Sequence, residues 1–295
     1  LAVGVLPWPA HPLSTVQAQT IARGMFVSVL DQDGSPVRDL HADDFVILED
    51  DAPREVLRAG RALEAMQIAL MIDTSSAARP VLRDYQVALD PFVEAMHGEH
   101  EIALTTFGGA RSVLVRAPGS LEQLREGVSQ LFARPDTAAY LLEALSQASR
   151  DFASREARRP VVIVLSTDGV DLSPEGHMGI VNELRATGVA MYAVLTPTAT
   201  VIMSHTGQFG LAAFPSWASR ERDSILDVGP KATGGLRYTV AMGSGTTEVL
   251  RRIAIELSEQ YHIVYARPNV LVPPQRVRVG VKRPAVSVRS RPVLP

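Results

Sequence analysis

The strongest constraint on this chain is a pair of uninterrupted apolar runs, each ending in an acidic turn. Ile68-Ala69-Leu70-Met71-Ile72 leads into Asp73-Thr74-Ser75, and Val161-Val162-Ile163-Val164-Leu165 leads into Ser166-Thr167-Asp168-Gly169. A run of four to eight aliphatic, mostly β-branched residues closed by a turn signal describes a strand buried on both faces, the usual condition in parallel sheets. Open parallel sheets bind ligands beyond the carboxyl ends of their strands. Two central strands of this kind bring two carboxylates and several hydroxyls to one rim, where a cation best relieves the repulsion. Hard oxygen donors suit magnesium, calcium or manganese.

The flanking periodicity completes an α/β reading. From Ala65 onward strands alternate with helices, the signature of a parallel sheet with crossovers. Val81, Tyr85, Ala88, Leu89, Phe92, Val93 and Met96 recur at helical spacing after Pro80. Strands over Ile102 to Phe107 and Ser112 to Val115, joined through Gly108-Gly109, predict a hairpin that forms an antiparallel edge. Leu121 to Leu131 marks a second helix, and Thr137 to Phe152 a third with Asp136 as its N-cap. A helix over Met178 to Thr187, ended by Gly188, precedes a strand over Val189 to Leu195. Residues 196 to 232 predict an irregular excursion with one helix near Glu221 to Val228. A last helix, Thr246 to Gln260, feeds a strand over Tyr261 to Tyr265 that is expected to close the unit. The fold class is therefore α/β: a doubly wound, mostly parallel sheet with one antiparallel edge strand.

The ends of the chain read differently. Met25 to Leu30, Phe45 to Leu48 and Glu55 to Leu57 are short strands separated by the turn signals Asp31-Gln32-Asp33-Gly34-Ser35-Pro36 and Asp50-Asp51-Ala52-Pro53. Beyond Pro268, Val277, Val279 and Val281 alternate with Arg278, Gly280 and Lys282, and Val286 and Val288 follow, which predicts a C-terminal β hairpin. Each set is too small to bury a core alone, so the two are expected to pack together. The organisation expected is residues 1–18 as the remnant of an export signal, 19–62 as an N-terminal β unit, 63–266 as the α/β domain and 267–295 as the hairpin. The export reading rests on apolar Leu1 to Leu6 and on the small residues of Val16-Gln17-Ala18 before Gln19; an ordinary N-terminus with Pro7, Pro9 and Pro12 is its competitor. No segment reaches the roughly 18 apolar residues that a membrane span needs.

Composition removes several functions. A formal net charge of -3, without long single-sign blocks, supplies no field for nucleic acid. The absence of cysteine excludes disulfides, thiol nucleophiles and thiolate metal sites. Lys231 and Lys282 are the chain's two lysines, so lysine chemistry has few seats. No strand leads into Gly-x-Gly-x-x-Gly, and no Gly-x-Ser-x-Gly occurs. His97, His100 and Glu94 fit a solvated helix end better than a metal cluster, and His262 fits a packed strand position. The basic residues Arg276, Arg278, Lys282, Arg283, Arg289 and Arg291 suggest the wet face of the hairpin, a surface that an acidic glycan or anionic lipid headgroup could contact.

The segments Asp73-Thr74-Ser75-Ser76-Ala77, Asp136-Thr137 and Ser166-Thr167-Asp168-Gly169 resemble the three loops of a von Willebrand factor type A domain. Val29 to Val37, Asp43 to Asp50, Thr233-Gly234-Gly235, Ser258 to Tyr261 and Val279 to Pro284 resemble the flanks of a bacterial subfamily of von Willebrand A-related proteins, so the likeness covers about residues 24 to 291. What the resemblance implies is a non-catalytic, adhesion-type protein-binding module. Its metal-ion-dependent adhesion site would draw on Asp73, Ser75, Thr137 and Asp168, with Mg2+ (or Mn2+ or Ca2+) completed by a glutamate or aspartate of a protein partner. Ala77 stands where the family motif has its second serine and offers no oxygen, so the implied site is partly degenerate. A metal-independent interaction module with a decayed site is the main alternative. A haloacid-dehalogenase-like phosphatase, with Asp73 as nucleophile and Asp168 and Asp171 as metal ligands, lacks both the carboxylate expected at Ser75 and a suitably placed lysine.

Overall fold

The computed structural model describes residues 20–198, 216–269, 274 and 276–291; the export reading of residues 1–18 falls outside them. The two apolar runs form β5 (Gln67–Ile72) and β8 (Pro160–Thr167), which pair in parallel at the centre of a six-stranded sheet. All eight residues of β8 are buried. Burying a large aliphatic side chain contributes about 1.5–3 kcal/mol, so a run of this composition is most stable at the middle of the sheet. The sheet order is β10 (Arg237–Thr239), β9 (Ala190–Thr196), β8, β5, β6 (Glu101–Thr106) and β7 (Ser112–Val115). Every neighbouring pair is parallel except β6 and β7, the antiparallel edge that the sequence predicts.

Helices cover both faces. Ile68, Leu70 and Ile72 pack with α1 (Leu82–Met96), α2 (Leu121–Ser129) and α6 (Thr246–Ser258) on one side. Ala69 and Met71 pack with α3 (Leu141–Ser154), α4 (His177–Ala186) and α5 (Ser216–Thr233) on the other. This is the doubly wound arrangement expected. Strand β10 has only three residues and no apolar run to announce it. Helix α5 extends beyond Glu221 to Val228, because Pro230 falls in its last turn without ending it.

The terminal segments build a second core. Strands β1 (Thr20–Leu30), β4 (Val56–Arg61), β11 (Tyr261–Pro268) and β13 (Ser287–Ser290) form a four-stranded sheet ordered β13-β1-β11-β4. Strands β2 (Phe45–Glu49), β3 (Ala52–Arg54) and β12 (Val277–Val281) form a three-stranded one. Met25, Val27, Val29, Phe45, Ile47, Tyr261, Ile263 and Tyr265 share the core that these strands enclose.

Three expectations for the segment from Tyr261 onward need correction. The strand from Tyr261 does not close the parallel sheet: it pairs antiparallel with β1 and β4. Its burial alternates, with Tyr261, Ile263, Tyr265 and Arg267 inward, as suits a sheet with unlike faces. The two C-terminal strands are not a hairpin, since β12 pairs with β2 and β13 with β1. Nor are their basic residues one wet face. Arg276 and Arg278 pair with Asp51, Arg283 with Asp39 and Arg289 with Glu256, while Arg291 is buried. Among the described residues no helix is long and apolar enough to cross a membrane.

Candidate metal centre at the carboxyl rim

Asp73 follows the last residue of β5, and its N–H still donates to Leu165 O at 2.9 Å, so the ladder holds it at the rim. The side chain is 1% exposed. Its Oδ1 accepts from Ser75 N at 2.8 Å, a local Asx turn. Its Oδ2 accepts from Thr167 N at 3.1 Å and from Thr167 Oγ1 at 2.6 Å, which joins the ends of β5 and β8. Thr167 was visible in the sequence only as one of several rim hydroxyls; its place beside Asp168-Gly169 is the signal that could have singled it out.

Ser75 is as buried as Asp73, and its Oγ has no hydrogen-bond partner among the described residues. Ala77 presents a methyl group toward Gly169: a Cβ built on Gly169 would lie 2.4 Å from Ala77 Cβ and 3.6 Å from Ser75 Oγ. The first and third loops therefore touch, and a side chain at 169 would force them apart.

The second loop is tied to the first. Thr137 O accepts from both Ser76 N and Ser76 Oγ at 3.0 Å, and Arg134 N donates to Thr74 O at 2.8 Å. Thr137 Oγ1 donates to Arg134 O at 2.9 Å. Contrary to expectation, Thr137 does not begin a helix and Asp136 is not an N-cap. Asp136 has φ 55, outside the region a helix can use, and Ala139 bridges to Gly108 and Asp171 before α3 starts at Leu141. The first amides of α3 are satisfied from another loop, Leu141 N by Asp171 Oδ2 at 2.8 Å and Leu142 N by Ser173 Oγ at 3.0 Å. Asp171 is thus a helix cap supplied in trans, and burial raises its carboxyl above the usual carboxylate range. Asp171-Leu172-Ser173 repeats the Asp73-Thr74-Ser75 turn, with Ser173 N on Asp171 Oδ1 at 2.9 Å.

Asp168 is half-buried, and its Oδ1 accepts from Thr198 N at 2.7 Å and Thr198 Oγ1 at 3.0 Å. Beneath the loops the Tyr85 hydroxyl donates to Ser166 O at 3.0 Å. Burial first, and then the Asp73 and Asp168 charges, holds the phenol above its ordinary range. Asp73, Ser75, Thr137 and Asp168 therefore sit on three loops bonded or packed to one another. Among the described residues no three acidic or histidine side chains gather as a metal-binding group. A cation here would depend on hydroxyls beside its carboxylates.

The architecture matches known structures. A von Willebrand factor type A protein from Catenulispora acidiphila superposes with a TM-score of 0.51 at 12% identity, over 95% of this chain and 75% of that one. Proximal thread matrix protein 1 from the mussel byssus superposes with a TM-score of 0.50 at 14% identity, over 76% of this chain and 50% of that one. This chain thus spans half the length of the mussel protein. No protein-family model and no curated protein sequence matches it. The chain has a von Willebrand factor A-like fold, with a β unit built from both its ends joined to the α/β sheet. At these identities the likeness is one of fold.

Proposed function

We propose that this protein is a non-catalytic protein-binding module whose carboxyl rim engages an acidic side chain of a partner through a weakly held divalent cation. The observation that carries this reading is the Ser75 hydroxyl, buried beside Asp73 with no hydrogen-bond partner among the described residues. A buried polar group left unpaired costs roughly 1–3 kcal/mol, and a cation at that point would use its lone pairs. Asp73, Ser75, Thr137 and Asp168 are the residues that would hold the ion, and magnesium, manganese or calcium suits such oxygen donors. Bound there, the ion would supply an electrophilic position for a partner's glutamate or aspartate. Ala77 removes one donor, which weakens the site without abolishing it.

The metal-independent module is favoured by a different observation. Asp73 already accepts three hydrogen bonds and Asp168 two, so neither carboxylate needs a cation to be satisfied. The phosphatase reading finds no support, since Lys231 pairs with Asp227 on α5, Lys282 follows β12, and Asp171 is committed to α3.

Thermal unfolding of chelator-treated protein, titrated with magnesium or manganese, separates the two modules because a ligand bound only by the folded state raises the midpoint. The proposal expects a rise at millimolar metal that is larger for Ala77→Ser. Flat midpoints in both proteins reject the cation and leave the metal-free module. A rise confined to the variant identifies a site lost by one residue.

A further inference from the structure

The opposite pole of the sheet holds a charge for which no carboxylate among the described residues serves as counter-ion. Arg291, the residue after β13, is 4% exposed, and its guanidinium lies 5.3 Å from the centre of the Phe26 ring. Arg159, the residue before β8, lies 4.9 Å from the same ring. Arg159 is well supplied: it donates to Glu64 O at 2.9 Å, Leu257 O at 2.7 Å and Gln260 Oε1 at 3.0 Å. Arg291 reaches a single acceptor among the described residues, Pro160 O at 2.9 Å, and its Nε and Nη2 are buried without a partner there. Its notable charged neighbour is Arg159, of like sign. A buried cation without a counter-charge is among the costliest features a fold can carry.

A cavity of about 220 Å³ opens beside it, lined by Ala22 to Phe26 of β1, by Gly188 and Arg158, and by Arg291 itself. Arg158 is exposed and has no partner among the described residues. Sites for drug-sized ligands run from about 300 Å³ upward, so this space suits something smaller. Guanidinium groups recognise oxyanions through charge and paired N–H donors. We propose that the cavity binds a small oxyanion of the phosphate class, held at the mouth by Arg158 and countering the buried charge of Arg291 on its wall. The site lies away from the carboxyl rim and does not depend on the cation proposed there.

The test compares midpoints of the full chain in inorganic phosphate and in chloride at equal pH and ionic strength. Wild type gains a saturable rise in phosphate, and Arg158→Ser loses most of it, each protein being referred to its own chloride midpoint. Arg291→Met, if it folds, loses the rise as well; if it does not fold, the Arg158→Ser comparison still decides. Cosedimentation with phosphatidate vesicles that disappears in Arg158→Ser assigns the anion to a lipid headgroup, whereas a phosphate response without cosedimentation assigns it to a free anion. An equal rise in wild type and Arg158→Ser, or none in either, overturns the proposal, the first result being a general effect of an excluded salt.

Discussion

The two poles of the parallel sheet bury opposite charges and satisfy them unequally. At the carboxyl rim Asp73 receives three donors and Asp171 is met by Leu141 N and Ser173 N, most of them backbone amides, drawn from the end of β8, the first turn of α3 and the Asx turns themselves. At the lower pole the buried side chains are guanidiniums, and their partners are mainly carbonyls: Glu64 O, Pro160 O and Leu257 O, the last in the final turn of α6. Chain polarity explains the division. Helix N-termini present spare N–H groups that suit carboxylates, and helix C-termini present spare carbonyls that suit cations. The rim carboxylates are answered within the fold and only a hydroxyl, Ser75 Oγ, is left unpaired there, whereas the lower pole leaves the charge of Arg291 short. Burial pushes the Arg159 guanidinium down to about 10, and burial with the Arg159 charge pushes Arg291 down to about 9.

The sharpest way to break this comparison is to exchange the well-served arginine. Arg159→Ala removes three hydrogen bonds and leaves Leu257 O and Gln260 Oε1 facing a buried void, so it should lose about 3–5 kcal/mol. Urea unfolding measures this through the midpoint at constant slope. A loss below about 1 kcal/mol would mean that water replaces the guanidinium, and that the lower pole is not a dry seam.

The rim should respond less. Asp73→Asn keeps an acceptor but loses charge and turns an oxygen into an N–H donor that faces Thr167 N. The expected loss is about 1–3 kcal/mol, read by the same unfolding experiment without metal. If the Asp73→Asn protein proves as stable as wild type, the three bonds on Asp73 do not organise the loops. If the loss grows when magnesium is added to both proteins, the cation strengthens the rim as proposed.

What the sequence revealed follows the same physics. β5 and β8 are legible because their burial is written in consecutive residues, the β6–β7 edge is legible because Gly108-Gly109 separates two short apolar runs, and the acidic turns after β5 and β8 mark the rim. The start of α3 is not legible locally, because its caps, Asp171 and Ser173, lie some thirty residues away, while Asp136-Thr137 imitates an N-cap. The strand from Tyr261 did carry a usable signal: Tyr261, Ile263 and Tyr265 alternate with His262, Val264 and Ala266, unlike the continuous run of β8. The separation of β12 from β13 had none, since partner choice between two sheets is a long-range decision. Burial of Arg291 is equally invisible, because the strand before it alternates like any half-exposed one.

The smallest effect expected tests whether the lower pole is electrostatically strained beyond its two arginines. His100 sits where α1 gives way to β6, and its Nδ1 accepts from Met66 N at 3.4 Å, which requires the neutral ring. Burial lowers its pKa below 6.5, the Arg159 charge adds to this, and Glu99 opposes it. The unfolded chain then binds this proton more readily than the folded one, so His100 removes stability as pH falls below about 7, through the unfolded value toward the folded one. Well above the unfolded value of 6.5 the ring is neutral in both states and contributes no slope. Wild type should therefore lose more stability than His100→Asn between about pH 7.5 and 5.5, with the gap between their unfolding free energies shifting toward the variant. A gap that stays constant across this range would show that the ring is solvated well enough to take its proton, and that the strain is confined to Arg159 and Arg291.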